Sequence, residues 1–363
     1  MPKVLISDKM AAKAADIFQE KGIDVDVITG QSPEELKSII HQYDGLAIRS
    51  STTVTSEIFE SASNLKVIGR AGIGTDNIDK DEATKRGVIV MNTPFGNSTT
   101  TAEHTIAMMM AMARSIPQAN ESTHAGKWEK SKFMGIELYN KTLGVIGCGN
   151  IGAIVIDRAQ GLKMKIVGFD PFLTEEKAIE MGIEKVELDD LYARADFITL
   201  HVPKTEKTTN MINADAFAKM KDGVRIMNVA RGGLINEDDL IDALDSGKVA
   251  GAALDVYAVE PAKENALFGR KNVICTPHLG ASTLEAQDNV AIQVAEQIAD
   301  YLNNGAVINA LNMPSISAED APKLKPYLSL SEQMGLMMGQ ITDSAIKSIT
   351  IEYAGAVSSL NVK

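Results

Sequence analysis

Gly147-Cys148-Gly149-Asn150-Ile151-Gly152 is a G-x-G-x-x-G run, and its surroundings decide the fold. The apolar segment Leu143–Gly147 reads as a strand leading into it, and Ile154, Val155, Ala159 and Leu162 fall on one face of a helix that follows. The motif alone is weak, because glycine-rich turns are common. Between a strand and a helix it has a physical purpose. The first glycine permits the tight turn, the second lets a pyrophosphate approach the backbone, and the third lets helix and strand pack closely. The helix N-terminus adds unpaired N–H groups and the positive end of a dipole. Asp170, closing the next strand, is placed to hydrogen-bond the adenosine ribose hydroxyls and to repel a 2′-phosphate, and no arginine follows it. These features predict a dinucleotide site that takes NAD rather than NADP.

The same alternation of strand and helix extends in both directions. Downstream strands are predicted at Lys165–Phe169, Phe197–Leu200, Val224–Asn228, Gly251–Leu254 and Val273–Cys275. Upstream ones are predicted at Lys3–Ser7, Val25–Ile28, Leu46–Arg49, Lys66–Gly69 and Val88–Met91. Ser32-Pro33-Glu34-Glu35 carries an N-cap serine, a proline at the first helical position and a glutamate that completes a capping box. Strands alternating with helices imply parallel sheets covered on both faces. The turn-rich stretch Asn92–Asn97 reads as a crossover into a methionine-rich helix, Thr101 to Arg114, and an amphipathic helix from Leu284 to about Leu302 leads the chain back. The expected fold class is therefore α/β with two doubly wound parallel-sheet domains. A Rossmann cofactor domain, residues 98–285, is inserted in a flavodoxin-like substrate domain, residues 1–97 and 286–312. From Met313 the pattern changes to a short α+β tail, residues 313–363. Pro314, Pro322 and Pro326 break the chain, a helix is predicted from about Ser329, and Ile349–Tyr353 alternates like a half-buried strand.

Composition excludes several classes of function. A formal charge of -12 opposes general binding to nucleic acid or to an anionic membrane, although arginines in one cleft still suit a small anionic substrate. Two cysteines without metal-ligand spacing, Cys148 and Cys275, fit small buried hydrophobes in a reducing compartment. The N-terminus lacks the apolar core of a secretory signal, so a cytoplasmic location is expected. No cluster of His, Cys and Asp has metal spacing, and no metal is expected.

Three ionisable residues follow strands of the cofactor domain. Arg231 lies in Asn228-Val229-Ala230-Arg231-Gly232-Gly233, Glu260 precedes Pro261, and His278 lies in Thr276-Pro277-His278-Leu279-Gly280. Loops beyond the carboxyl ends of parallel strands line the ligand crevice, so all three share a rim with the glycine loop. Singly, each is ordinarily a solvated loop residue. Together they match hydride transfer at a carbinol carbon. A histidine takes the hydroxyl proton, a carboxylate orients the imidazole and favours its charged form, and an arginine binds a carboxylate in bidentate fashion. Arg49 and Arg70, each after a strand of the first domain, offer further cations to an anionic substrate held between the two domains. Met108, Met109, Met110 and Met112 read as core or subunit packing, His104 as a packing residue of the same helix, and Lys127, Lys130 and Lys132 as a solvated face.

The segments Gly147–Gly152, Ala230–Gly233, Ala253–Tyr257, Glu260-Pro261 and Pro277–Ser282 resemble the D-isomer-specific 2-hydroxyacid dehydrogenase family, over roughly residues 3–312. The resemblance implies that Arg231, Glu260 and His278 are the catalytic arginine, acid and histidine. It implies cofactor contacts from Ile73, Gly147, Gly149, Asn150, Ile151, Gly152, Asp170, Val202, Val229, Ala230, Arg231, Asp255, His278, Leu279, Gly280 and Ala281. Asn150 departs from the arginine common in the family, which removes one phosphate contact. Substrate contacts are implied at Arg49, Arg70, Ala71 and Gly72. Gly69–Asp79 and His278–Thr283, with Trp128-Glu129 and Phe133-Met134-Gly135, look most like the branch that oxidises D-3-phosphoglycerate to 3-phosphohydroxypyruvate, the first step toward L-serine. Alternatives within the same resemblance are a glyoxylate or hydroxypyruvate reductase, and an NAD-sensing protein of the corepressor kind. The family also implies a homodimer through the cofactor domain, with the helix of Met108 and Trp128 in the interface. Longer members carry an intervening domain and then a serine-binding domain, so residues 314–363 are expected to be the incomplete opening of that intervening domain.

Overall fold

The structure is a computed structural model that describes residues 1–316, 319–341, 348–352 and 354–355. It divides into two compact units, residues 1–96 with 284–363 and residues 97–283. The first holds five strands, β1 (Lys3–Ile6), β2 (Asp24–Val27), β3 (Gly45–Ile48), β4 (Val67–Arg70) and β5 (Ile89–Asn92). They form one parallel sheet in the order β2-β1-β3-β4-β5, the flavodoxin-like arrangement. The capping box forms as its sequence requires: Ser32 Oγ accepts from the Glu35 N–H, and the Ser32 N–H donates to Glu35 Oε2 at 2.8 Å. Val290, Val294 and Ile298 of the helix Leu284–Asn304 bury against one face of the sheet, and Leu36, Ile58 and Phe59 cover the other. An apolar face on each side explains why β3 is buried at all four positions.

The second unit holds β6 (Thr142–Ile146), β7 (Lys165–Phe169), β8 (Glu184–Lys185), β9 (Phe197–Leu200), β10 (Val224–Asn228), β11 (Val249–Leu254) and β12 (Val273–Cys275). Its parallel sheet runs β12-β11-β10-β9-β6-β7-β8, a Rossmann order extended by one strand. The order reverses between β6 and β9, which opens the crevice outside the carboxyl ends of those strands. The two-residue β8 was not expected. Glu184 and Lys185 give no apolar run, and an edge position tolerates charge. Met108, Met109 and Met112 of the helix Ser98–Ala113 are buried in this unit's core, whereas Met110 is exposed.

The tail differs from its expectation. A helix spans Ala321–Ile341, so Pro322 and Pro326 do not stop it. Pro322 is its second residue, where no intrahelical N–H is required. Pro326 forfeits one helical hydrogen bond that neighbouring turns outweigh. Ile349–Glu352 lie in no strand, and Tyr353 falls outside the described residues. An alternating pattern needs a partner strand to become one, and no described residue pairs with this segment. No helix among the described residues is long and apolar enough to cross a membrane.

Candidate active site

The glycine loop links β6 to the helix Asn150–Gly161. Gly147 has φ +93°, and a Cβ there would lie 2.5 Å from the His201 carbonyl oxygen. A Cβ on Gly152 would lie 2.0 Å from the Gly147 carbonyl oxygen, so the helix packs on the strand only through a glycine. Gly149, the N-cap, has open space where its Cβ would be. Asp170 follows β7 and accepts from the Cys148 N–H at 2.9 Å and the Phe172 N–H at 2.8 Å. Its carboxylate therefore stands at the glycine loop itself. A turn open above Gly149, a helix N-terminus of exposed Asn150 and half-exposed Ile151, and an adjacent carboxylate fit the pyrophosphate and ribose of a dinucleotide. Val202, after β9, packs beside Gly147.

Three loops of the same rim carry the ionisable residues. Asn228 ends β10 with a buried side chain that accepts from the Ala230 N–H at 3.1 Å and donates to the Arg231 carbonyl at 2.8 Å. That clamp shapes Val229–Arg231. Arg231 Nη1 donates to the Ala230 carbonyl at 2.7 Å. After β11, Glu260 accepts the Tyr257 N–H at 2.9 Å on one oxygen and meets His278 Nδ1 at 2.6 Å on the other. Burial pushes the Glu260 carboxyl up, but donation from His278 and the Tyr257 N–H outweighs it and holds the group below its ordinary 4.5. The pairing directs Nδ1 to the carboxylate and leaves Nε2 for the reacting proton. His278 is half exposed.

His278 has φ +54°, a left-handed conformation uncommon outside glycine. Asp255, closing β11 and wholly buried, holds it there. Its carbonyl accepts the His278 N–H at 2.9 Å, and its carboxylate accepts the Leu279 N–H at 2.7 Å and the Gly280 N–H at 2.8 Å. Val229 packs against Gly280, and Ala281 continues the turn half exposed.

The other expected residues belong to the first unit. Arg49 and Arg70 stand at the carboxyl ends of neighbouring strands, since Ile48 of β3 is in register with Arg70 of β4. Asp8 accepts the Arg49 N–H at 2.6 Å and the Thr52 N–H at 3.1 Å, and Asn77 donates to the Arg49 and Thr52 carbonyls. The Ala71 N–H is held by the Ile48 carbonyl, and the Gly72 N–H by Thr93 Oγ1 at 2.7 Å. Gly72, at φ +146°, lies under the Arg70 guanidinium, where a Cβ would sit 1.9 Å from Nη1. Asn92 Nδ2 holds the Ile73 carbonyl at 2.6 Å.

Several residues escaped the sequence reading. Asp8, Asn77 and Asn228 shape the loops; Asp8 carries no motif, and Asn77 and Asn228 lie inside runs quoted for their neighbours. His201, next to the glycine loop, bonds Thr199 Oγ1 through Nε2 while its enclosed Nδ1 has no partner; burial pushes its pKa down to about 4. It therefore stays neutral near the dinucleotide site. His104, read as a packing residue, instead turns its imidazole toward Asp255 and Thr276.

Known proteins resemble this chain over most of its length. Residues 106–280 match the model of the D-isomer specific 2-hydroxyacid dehydrogenase NAD binding domain, and residues 323–363 match that of the D-3-phosphoglycerate dehydrogenase intervening domain. D-3-phosphoglycerate dehydrogenase of Synechocystis sp. is 48% identical over 98% of this chain and 64% of its own length. That of Archaeoglobus fulgidus is 45% identical over 99% of this chain and 69% of its own length. The chain thus spans about two thirds of these relatives. Among solved structures, a glyoxylate reductase from Paecilomyes thermophila superposes with TM-score 0.79 at 29% identity, covering 85% of this chain and 98% of the other. D-lactate dehydrogenase from Aquifex aeolicus, solved with NAD and lactic acid, gives TM-score 0.76 at 26% identity, covering 86% of this chain and 100% of the other.

Proposed function

Because this chain belongs to the D-isomer specific 2-hydroxyacid dehydrogenase family, we propose that it oxidises D-3-phosphoglycerate to 3-phosphohydroxypyruvate with NAD, on the route to serine. The observation that carries this reading is the 2.6 Å pairing of His278 Nδ1 with Glu260 on the rim of a Rossmann sheet. Bound nicotinamide supplies the acceptor for the hydride that leaves the carbinol carbon. His278 Nε2 takes the hydroxyl proton as the carbonyl forms, and Glu260 stabilises the resulting imidazolium. In the reverse direction the imidazolium returns that proton to the oxygen. Arg231 binds the substrate carboxylate and polarises the neighbouring carbonyl. Arg49 and Arg70 bind the remaining anionic group, with Ala71 and Gly72 as backbone contacts. In this proposal residues 97–283 supply the cofactor loop, the acid–base pair and Arg231, and the other unit supplies Arg49 and Arg70.

The substrate choice is supported by relatives of 43–48% identity that bear that activity. Steady-state rates with NADH and phosphohydroxypyruvate, hydroxypyruvate or glyoxylate test it. Phosphohydroxypyruvate should give the highest kcat/KM, and a preference for glyoxylate would move the chain to the reductase branch.

A homodimer through the cofactor unit belongs to the same proposal. Trp128 is 89% exposed and Met134 86%, and with Phe133 and Met110 they line one groove. Large apolar side chains gathered on one surface mark an interaction site. Light scattering should give twice the chain mass. A cytoplasmic location completes the proposal, supported by two free thiols.

A further inference from the structure

Behind the catalytic loop lies a second pairing of histidine and carboxylate. His104 belongs to the helix Ser98–Ala113, among the buried Ala102, Thr105 and Met108. Its Nε2 is 3.4 Å from Asp255 Oδ1 and 3.3 Å from Thr276 Oγ1. Thr276 Oγ1 lies 2.5 Å from the same Asp255 oxygen, so its one hydrogen goes to the carboxylate. The 3.7 Å approach of that hydroxyl to Met108 Sδ is a poorer use of the hydrogen. The hydroxyl oxygen is then an acceptor, and His104 Nε2–H is placed to donate to it and to the carboxylate.

Asp255 is wholly buried, and a buried carboxylate stays charged only where donors surround it. Burial pushes its pKa up, yet donation from His104, Thr276 and the Leu279 and Gly280 N–H groups brings it below its ordinary 3.8. Two of those donors are the backbone amides just past His278. What holds Asp255 in place thereby holds the left-handed turn at His278.

We infer that His104 is a positioning residue of the reaction: through Asp255 and Thr276 it fixes the turn that presents His278. The inference rests on the proposed role of His278 as the acid–base group. The imidazole makes no appeal to substrate or cofactor contact. Its lever is the chain of hydrogen bonds from helix to loop.

Leucine and glutamine at position 104 separate this role from packing. Leucine fills the space without a donor, whereas the glutamine amide can reach the same acceptors. In the cofactor-free chain, His104→Leu should speed amide hydrogen exchange at Leu279 and Gly280. In turnover it should lower kcat about tenfold or more, the scale of a hydrogen bond to a charged group, with KM little changed. His104→Gln should restore most of both. If the leucine variant does not fold, His104→Asn, too short to span the gap, should show the same losses. Wild-type exchange and kcat in the leucine variant, or no recovery with glutamine, overturns the inference. Faster exchange in a chain whose wild type turns over none of the 2-oxo acids upholds the hydrogen-bond chain and sinks the reaction reading instead.

Discussion

The two units carry the same kind of sheet and use its carboxyl edge in opposite ways. At the edge of β3, Asp8 and Asn77 bond the backbone of Arg49 and Thr52, so Arg49 stands on a fixed frame beside Arg70 at the end of β4. At the edge of β10 to β12, Asn228 and Asp255 do the same framing, but what they present is the His278–Glu260 pair with Arg231. In both, a buried polar residue near a strand end shapes the loop, and its neighbours are the residues proposed to meet the substrate. A doubly wound sheet therefore fixes where ligands can bind, while loop residues decide whether the edge recognises charge or moves protons.

That contrast can be broken most decisively at His278. Replacement by Asn should lower kcat by roughly 10²–10⁴-fold, the usual contribution of a positioned acid–base group, with NADH affinity nearly unchanged in a fluorescence titration. Turnover close to wild type would remove proton transfer from the second unit's edge. The first unit's edge is probed by Arg49→Ala. It should raise KM for phosphohydroxypyruvate by about 10–100-fold, the range of a charged hydrogen bond, and that for hydroxypyruvate far less. Equal effects would mean that Arg49 reads the carboxylate and that the two edges share one task.

Asp170→Ala tests the cofactor end of the second unit. It removes a ribose partner, a charge that repels a 2′-phosphate, and the acceptor of the Cys148 N–H. NADH binding should weaken about tenfold and the gap to NADPH should narrow, as competition binding would record. A wild type that binds both cofactors equally would sink the assignment. The smallest effect concerns Glu260. Its folded pKa lies below the ordinary 4.5, so its stabilisation is complete above that value and is lost as pH falls through the lowered one. Glu260→Gln lacks this contribution, and its melting temperature should fall less steeply than wild type from about pH 5 to about pH 3. Parallel curves would show that the His278 pairing adds nothing to stability.

Strands in the interior of each sheet were legible because burial on both faces demands runs of β-branched and apolar residues. Phe197–Leu200 and Val224–Asn228 match their predicted bounds for that reason. Glu184–Lys185 carries no such run, and Ile349–Glu352 has the pattern without a partner. In one case pairing made a strand without a signal, and in the other a signal found nothing to pair with. The helix Ala321–Ile341 shows the same limit, since Pro322 falls in the first turn, where no N–H is needed, and the single bond lost at Pro326 does not end the helix.

The sequence by itself determined the class of each sheet, the glycine loop and the identity of the ionisable residues, because these depend on periodicity and on residue chemistry at short spacing. Tertiary structure alone decided what Asp255 holds. Glu260 lies 18 positions from His278, and Asp255 is about as far from it in sequence. Yet one carboxylate meets the imidazole while the other turns inward to the loop backbone and to His104, 151 positions away (255 − 104). Hydrogen bonds act over about 3 Å, and only the packing of helix and strand ends brings such distant atoms that close.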